Sequence, residues 1–400
     1  MATTLSTTLI LQKTIDSFKT LFPFINNFGT HFDEQPLKLN QTVDAHIRTL
    51  PSASTYDPTT GYANGATSAR TLLTDVPITV DQHQHVPLLF EHLNQIKDMK
   101  DVYEGAITDT AFVLGKAMVS SVLAKCKGSA FSYSTAETAA NSDLDVVEAI
   151  TTMLNDQSAP PMGRIGIVST AVAQAIALDT RIGSKDYYGQ LTGASGLRVF
   201  RGVGGFEAIY EYPALGTNNA AGQTFTAATT DICSATAHGF QTGDRVRLTT
   251  TTTLPAGLAA ATTYYVIRLG ADTFKLASSD ANATAGTAVD VTDTGTGTHT
   301  VTGYENVTGV FFAPAAFALR AGIPGGMTDL AGALGIPQVM AMETLRDPIW
   351  GFALALMKWQ AAGTGNLYVS PTCVWGSAAG RQAGAAAAIT DKAAVLLRTA

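Results

Sequence analysis

His83 and His85 are separated by one residue, so on an extended strand both imidazoles leave the same face, and His92 follows. Two imidazoles so placed are half of a transition-metal ligand set. No Cys or Asp cluster stands beside them to complete it, and histidines on the surface of a hairpin are the plainer reading. Gly202-Val203-Gly204-Gly205 could wrap a phosphate with backbone amides, but the full G-x-G-x-x-G spacing and a following acidic ribose ligand are missing. Glycines of a tight turn account for the run. The chain contains no Gly-Lys-Ser/Thr phosphate loop, no His-Glu-x-x-His and no Gly-x-Ser-x-Gly elbow. The expectation is therefore a protein with no catalytic residues, no cofactor, no metal and no enzymatic activity.

The remaining chemistry-bearing residues read as structural. Cys126, Cys233 and Cys373 are far apart and form no Cys-x-x-Cys pair, which fits a reduced chain. Phe352, Trp359, Tyr368 and Trp375 form an aromatic set suited to a core or a subunit contact. Glu104, Asp109, Lys116 and Lys125 fit the solvated face of a helix, with salt bridges between subunits as the alternative. Asn40, Asn282 and Asn306 each begin an Asn-x-Thr triplet, which without a secretory route is a chance match.

These residues must be positioned by a sizeable fold, because 46% of the 400 residues are hydrophobic. Only 14% are charged, against about 25% in an ordinary soluble domain, so much of the surface is expected to be covered by other subunits. A net charge of -7 lacks the basic footprint of a dedicated DNA-binding protein. The first residues lack the basic and apolar blocks of a signal peptide, and no apolar run is expected to approach the ~20 residues of a membrane span. Secretion and membrane insertion are not expected.

Along the chain, Leu9, Ile10, Ile15, Phe18, Leu21 and Phe22 fall on one stripe and predict an amphipathic helix ending at Pro23. Residues 37–49 and 71–90 predict the two strands of a long hairpin around a polar tip, and such a hairpin needs a surface to lie on. Ile107, Ala111, Leu114, Met118, Val122 and Cys126 predict the longest helix, over residues 100–127. Asn141 and Ser142 read as caps for a helix over 143–154. A strand over 165–168, a Ser169 cap and a helix over 171–178 follow, then a strand through Phe206, Ala208, Tyr210 and Tyr212.

From 216 to 303 Thr, Ala and Gly dominate, and strands are expected at 245–249, 264–269, 273–277, 288–291 and 298–302. That composition predicts a small β-barrel or sandwich inserted into an α+β parent. The parent resumes with a strand at 310–312 and a helix over 314–320, then strands at 339–343, 352–359 and 366–376. The tail after Arg381 is mostly Ala, and the choice between a short helix and a flexible end stays open.

This order resembles the Hong Kong 97 fold of tailed-bacteriophage major capsid proteins. The resemblance rests on Val76-Pro77-Ile78-Thr79-Val80-Asp81-Gln82-His83-Gln84-His85-Val86-Pro87, similar to the returning strand of the extended loop in short-tailed phage coat proteins. It rests also on Gly202-Val203-Gly204-Gly205-Phe206-Glu207-Ala208-Ile209-Tyr210-Glu211, similar to an axial-domain segment, and on the long helix between the two. His238-Gly239-Phe240-Gln241-Thr242-Gly243-Asp244, Leu254-Pro255-Ala256-Gly257-Leu258, Thr263-Tyr264-Tyr265-Val266-Ile267 and Thr273-Phe274-Lys275-Leu276-Ala277 are similar to small β modules of phage virion proteins.

The resemblance implies an N-terminal arm (1–35), an extended loop (36–92), and a spine helix with peripheral domain (93–139). It further implies an axial domain in two parts (140–215 and 304–335) around the inserted β domain (216–303), peripheral strands (336–381) and a C-terminal tail (382–400). It also implies a virion subunit, assembled in the host bacterial cytoplasm, that forms pentamers and hexamers of an icosahedral shell enclosing double-stranded DNA without sequence-specific binding and without a membrane. A separate scaffolding protein and a portal are the expected partners, and a decoration protein is a further candidate. Some relatives cross-link Lys to Asn; Lys38 and Asn64 are the hairpin residues of those types, and no cross-link is expected. A tail or baseplate structural protein is the alternative class, and sugar stacking on Tyr264 and Tyr265 of the β module is a weaker one.

Overall fold

The computed structural model describes residues 7–48, 56, 58–59, 73–90, 100–127, 130–131, 134–137, 143–157, 159–179, 181, 197–215, 221–314, 316–324, 339–347, 353–360, 367–379 and 393–399. They fall into two compact units: Met1–Lys125, Thr192–Leu197 and Pro314–Gly384 form the first; Cys126–Leu191, Arg198–Ala313 and Ala385–Ala400 form the second. Helix and sheet are mixed in both.

In the first unit, helix α1 (Thr7–Leu21) stops at Pro23 and passes through a 3-10 turn (Pro23–Asn27) into strand β1 (Gly29–Leu37). The strands β2 (Thr42–Arg48) and β3 (Leu73–Thr79) pair with each other, and β4 (Gln82–His85) and β5 (Leu88–Phe90) follow before helix α2 (Lys100–Leu123). Ile10, Leu11, Ile15, Phe18 and Phe22 are buried and α1 packs on α2 of its own chain, so the predicted apolar stripe finds an intramolecular partner. Gly115 lets the helices approach, since a Cβ there would lie 2.3 Å from the Phe22 ring. Rings then lead from Phe22 to Phe24 (6.2 Å), Phe28 (6.2 Å) and Phe317 (5.7 Å).

Within α2 the segment Gly105–Leu123 is long and apolar enough by composition to cross a membrane, a run not recognised in the sequence. Half of it is buried, with Ile107, Ala111, Leu114, Met118 and Val122 turned inward.

The second unit opens with β6 (Ser134–Glu137), helix α3 (Leu144–Asp156), β7 (Ile165–Val168), helix α4 (Thr170–Leu178), β8 (Val199–Val203) and β9 (Phe206–Glu211). Asp143 caps α3 by accepting from the Asp145 N–H at 3.0 Å, in place of the expected Asn141 and Ser142, which lie outside the described residues. Ser169 caps α4 as expected.

Next come β10 (Gln223–Ala227), β11 (Cys233–Ser234), β12 (Arg245–Thr250), β13 (Thr263–Arg268), β14 (Thr273–Ala277), the short helix α5 (Asp280–Ala285) and β15 (His299–Gly303). The six strands close into an antiparallel barrel in the order β10-β11-β14-β13-β12-β15. Period-2 alternation sends Phe225, Val246, Leu248, Tyr264, Val266, Phe274, Leu276 and Val301 inside. Residues 288–291 are not a strand, contrary to expectation: Val289 and Val291 bond instead to the Leu276 carbonyl and the Asp231 carboxylate.

Beyond the barrel, β16 (Val307–Phe312) returns to the second unit, whereas β17 (Phe317–Pro324), β18 (Val339–Arg346), β19 (Ala353–Gln360) and β20 (Leu367–Ala379) belong to the first. The helix predicted over 314–320 is therefore replaced by strand β17, held parallel to β1 and antiparallel to β20. The stretch 304–335 expected as one axial segment divides after Ala313. The first sheet runs β1-β17-β20-β19-β18, with β4 and β5 also on β20.

The last element is β21 (Ala394–Thr399), a strand in place of the expected short helix or flexible end. It lies between β6 and β16 in the second unit's sheet, ordered β6-β21-β16-β7-β9-β8. The barrel thus lies in sequence between β9 and β16, both neighbours of β7.

Candidate functional site

His83 and His85 sit on β4, paired with Val374 and Thr372 of β20. The His83 Nε2 lies 3.2 Å from the Thr372 hydroxyl, and burial, with the charge of His85 second, holds its imidazole below the ordinary histidine value. His85 is exposed and stands edge-on to Trp359 at 6.2 Å. His92 lies outside the described residues. Among the described residues, no group of three or more His, Cys, Asp or Glu is placed to hold a metal ion.

The glycine run makes the turn of the β8–β9 hairpin. Val203 pairs with Phe206, and Gly204 and Gly205 have φ of +56° and +80°, the left-handed pair that a two-residue hairpin turn needs. A Cβ on Gly204 would meet Val147 of α3 at 2.5 Å, so the turn seats against that helix.

The aromatic set divides. Trp359 stacks on Tyr368 (5.4 Å, 7°), while Trp375 is fully buried and donates Nε1–H to Ser121 Oγ at 3.0 Å. Phe352 is outside the described residues. Asp109 and Lys116 are exposed on α2 and Lys125 is half-buried; the side chain of Glu104 lies outside the described set. Lys38 is exposed, and Asn64 is not among the described residues. In the barrel Tyr264 is buried with its hydroxyl bound to the Ala259 N–H, and Tyr265 is half-buried, so Tyr264 offers no free face to a sugar.

The three thiols are buried. Burial lifts Cys233 and Cys373 to about 12, and burial together with the Glu305 carboxylate lifts Cys126 too. Because the folded values exceed the unfolded ~8.5, the stability they contribute is fully present below that pH. It is lost as pH rises towards the folded values. At pH 8 we expect no thiol to react with a disulfide reagent in the native protein and all three to react in denaturant, counted by absorbance. A fast native thiol would place that cysteine at the surface.

Two constructions stand out that no motif announced. The first is the seat of the hairpin root. Ala45, Val76 and Ile78 pack on Ala318 and Ala378, and Val80 and Leu37 pack on Val374, so β2–β3 lies on the face of its own β17 and β20. Burying a valine or isoleucine side chain stabilises by ~1.5–3 kcal/mol, which supports a strand pair that alone would be marginal. The near half of the hairpin therefore rests on strands of its own chain; residues 60–72 of the tip lie outside the described residues.

The second is a buried ionic junction between barrel and sheet. Glu305 Oε1 accepts from the Arg245 backbone N–H at 3.0 Å, and Oε2 accepts from Arg398 Nη2 at 2.8 Å. Arg398 Nη1 reaches Ser134 Oγ at 3.1 Å. Burial, then the charge of Arg398, hold the Arg245 guanidinium below its usual value. Arg247 lies 3.6 Å above the Tyr304 ring, and Lys127 lies 3.9 Å from buried Asp244. The three-residue link 304–306 thus holds the barrel to the sheet through side chains as well as backbone.

No protein-family model matches the chain, and no curated protein matches it by sequence. Over most of its length it is similar to solved phage capsid structures. The capsid of Ralstonia phage GP4 is 8% identical with a TM-score of 0.42, covering 95% of this chain and 89% of that one. The capsid of cyanophage P-SCSP1u is 11% identical with a TM-score of 0.41, covering 93% and 87%. The acid-stable capsid of Helicobacter pylori bacteriophage KHP30 is 11% identical with a TM-score of 0.41, covering 94% and 90%.

Proposed function

We propose that the chain is the major capsid protein of a tailed phage, a structural subunit that assembles with copies of itself into a closed shell around double-stranded DNA. The observation that carries the reading is the succession along one chain of hairpin, 24-residue helix α2 and long-stranded sheet in the first unit, with a separate mixed sheet in the second. That is the order the sequence resemblance implies. The low charged fraction supports it as well, since a subunit tiled on all sides has less surface to keep wet.

Assembly by this reading uses many modest contacts whose avidity closes the shell. By this reading the hairpin tip, beyond the root seated on β17 and β20, contacts a neighbouring subunit. The barrel would be an inserted module on the parent fold, and a scaffolding protein a separate chain.

Negative-stain electron microscopy of the purified protein, and of the chain lacking residues 52–68, tests this. Closed polyhedra from the full chain and soluble, unassembled subunits from the deletion are expected. Rings or tubes from the full chain would favour a tail protein, and normal shells from the deletion would reject the role of the tip.

A further inference from the structure

Strand β21 occupies an interior position of its sheet although it is the last element of the chain. It runs parallel to β6, with Leu396 beside Ser134 and Thr399 beside Glu137. On its other side it runs antiparallel to β16, from Val307 beside Arg398 to Phe312 beside Ala394. Both main-chain edges are therefore paired, and Ala394 to Arg398 are all buried. A strand covered on both faces reads as an uninterrupted apolar run, which is what Val395-Leu396-Leu397 supplies.

The slot is shaped for this sequence and fixes its register. Gly309 on β16 makes room for Leu397, since a Cβ at Gly309 would sit 3.0 Å from that of Leu397. A bulge between Val307 and Gly309 then shifts the pairing so that Arg398 falls beside Val307. Its guanidinium meets Glu305 and Ser134, while at the other end the Ala313 N–H donates to the Ala393 carbonyl at 2.8 Å. A one-residue slip would bury Thr399 or Leu397 against Glu305 and leave Arg398 without its counter-charge. None of these contacts depends on the covalent link through residues 380–392, which raises only the local concentration of the strand.

We propose that the groove between β6 and β16 is a strand-binding site for an extended peptide of the pattern apolar-apolar-apolar-Arg. The chain's own end fills it here, and the same strand offered by an unattached chain can fill it. This inference stands apart from the capsid reading: the site is defined by pairing and side chains within one unit.

The test uses the full chain with a protease recognition sequence in place of residues 384–388, cleaved after folding. The C-terminal fragment should stay with the body through native size exclusion. A fluorescent peptide of residues 393–400 should replace it on mild warming, and the same peptide carrying Arg398→Glu should bind about 100-fold more weakly. Loss of the fragment on cleavage, or equal binding of the two peptides, would overturn the proposal. If the inserted sequence prevents folding, residues 1–380 co-expressed with a tagged carrier of residues 393–400 decide the matter. Recovery of the body on the tag is expected with Arg398 and not with Glu at that position; no recovery with either sinks the idea.

Discussion

Replacing Glu305 with alanine is expected to destabilise the second unit by about 3–5 kcal/mol, the cost of removing one partner from a buried ion pair. Glu305 and Arg398 are both almost fully buried, and the carboxylate uses one oxygen for the Arg245 N–H and the other for Arg398. Without it, two buried guanidinium groups that already repel each other lose their shared counter-charge, and Arg398 keeps its hydrogen bond to Ser134. The informative comparison is the double variant Glu305→Met/Arg398→Met, which removes both charges together. It should recover all but about 1–3 kcal/mol, the residue being the unmet Arg245 N–H. Urea unfolding followed by the fluorescence of a probe in the second unit measures both. A single variant as stable as the parent would mean that the junction is open to water.

That junction was not legible in the sequence for a plain reason. Its partners are 60 and 93 residues apart, and no local spacing links a glutamate after β15 to an arginine in the last strand. What was legible has short-range causes. The period of 3.6 in α1 and α2, the period of 2 in β12 to β14, and the Pro23 stop were all readable because each is written within a dozen residues. Pro314-Ala315-Ala316-Phe317-Ala318-Leu319-Arg320 looks helical because alanine and leucine favour helix. Its place between β1 and β20 overrides that preference, as tertiary pairing often does.

The last strand was missed in a similar way. Its apolar run is only five residues from Ala393 to Leu397, behind a stretch rich in alanine that masks the change of period. For the cysteines, the histidine pair and the glycine run, residue type and spacing fit both a chemical and a purely structural role. The geometry gives the glycines a hairpin turn and His83 a threonine partner. Sequence spacing identified these residues, but only strand pairing could identify what they touch.

Gly376→Val is expected to unseat the hairpin root and destabilise the first unit by about 1–3 kcal/mol, as overpacking a close-fitted core does. Trp375 and Ser377 turn one way from β20 and hydrogen-bond Ser121 of α2, so Gly376 turns the other way, towards the hairpin. On that face a Cβ at Gly376 would lie 2.2 Å from the Thr79 carbonyl oxygen and 3.0 Å from Ile78 Cγ2. The first obstacle is backbone and cannot rotate aside. Either β3 lifts, uncovering Ile78 and Val76, or β20 bends and strains the Trp375 bond to α2. Lifting is the smaller disturbance, because β2–β3 has no ladder to the main sheet whereas β20 is paired along its length. Hydrogen exchange should therefore speed up in residues 42–48 and 73–79 while α2 keeps its protection. Gly105→Ala is the control: nothing lies within 4 Å of its Cβ position in α2, and it should stabilise by about 0.5–1 kcal/mol. Faster exchange in α2 with an unchanged hairpin would show that β20 yields first, and the hairpin root would then be the more rigid of the two.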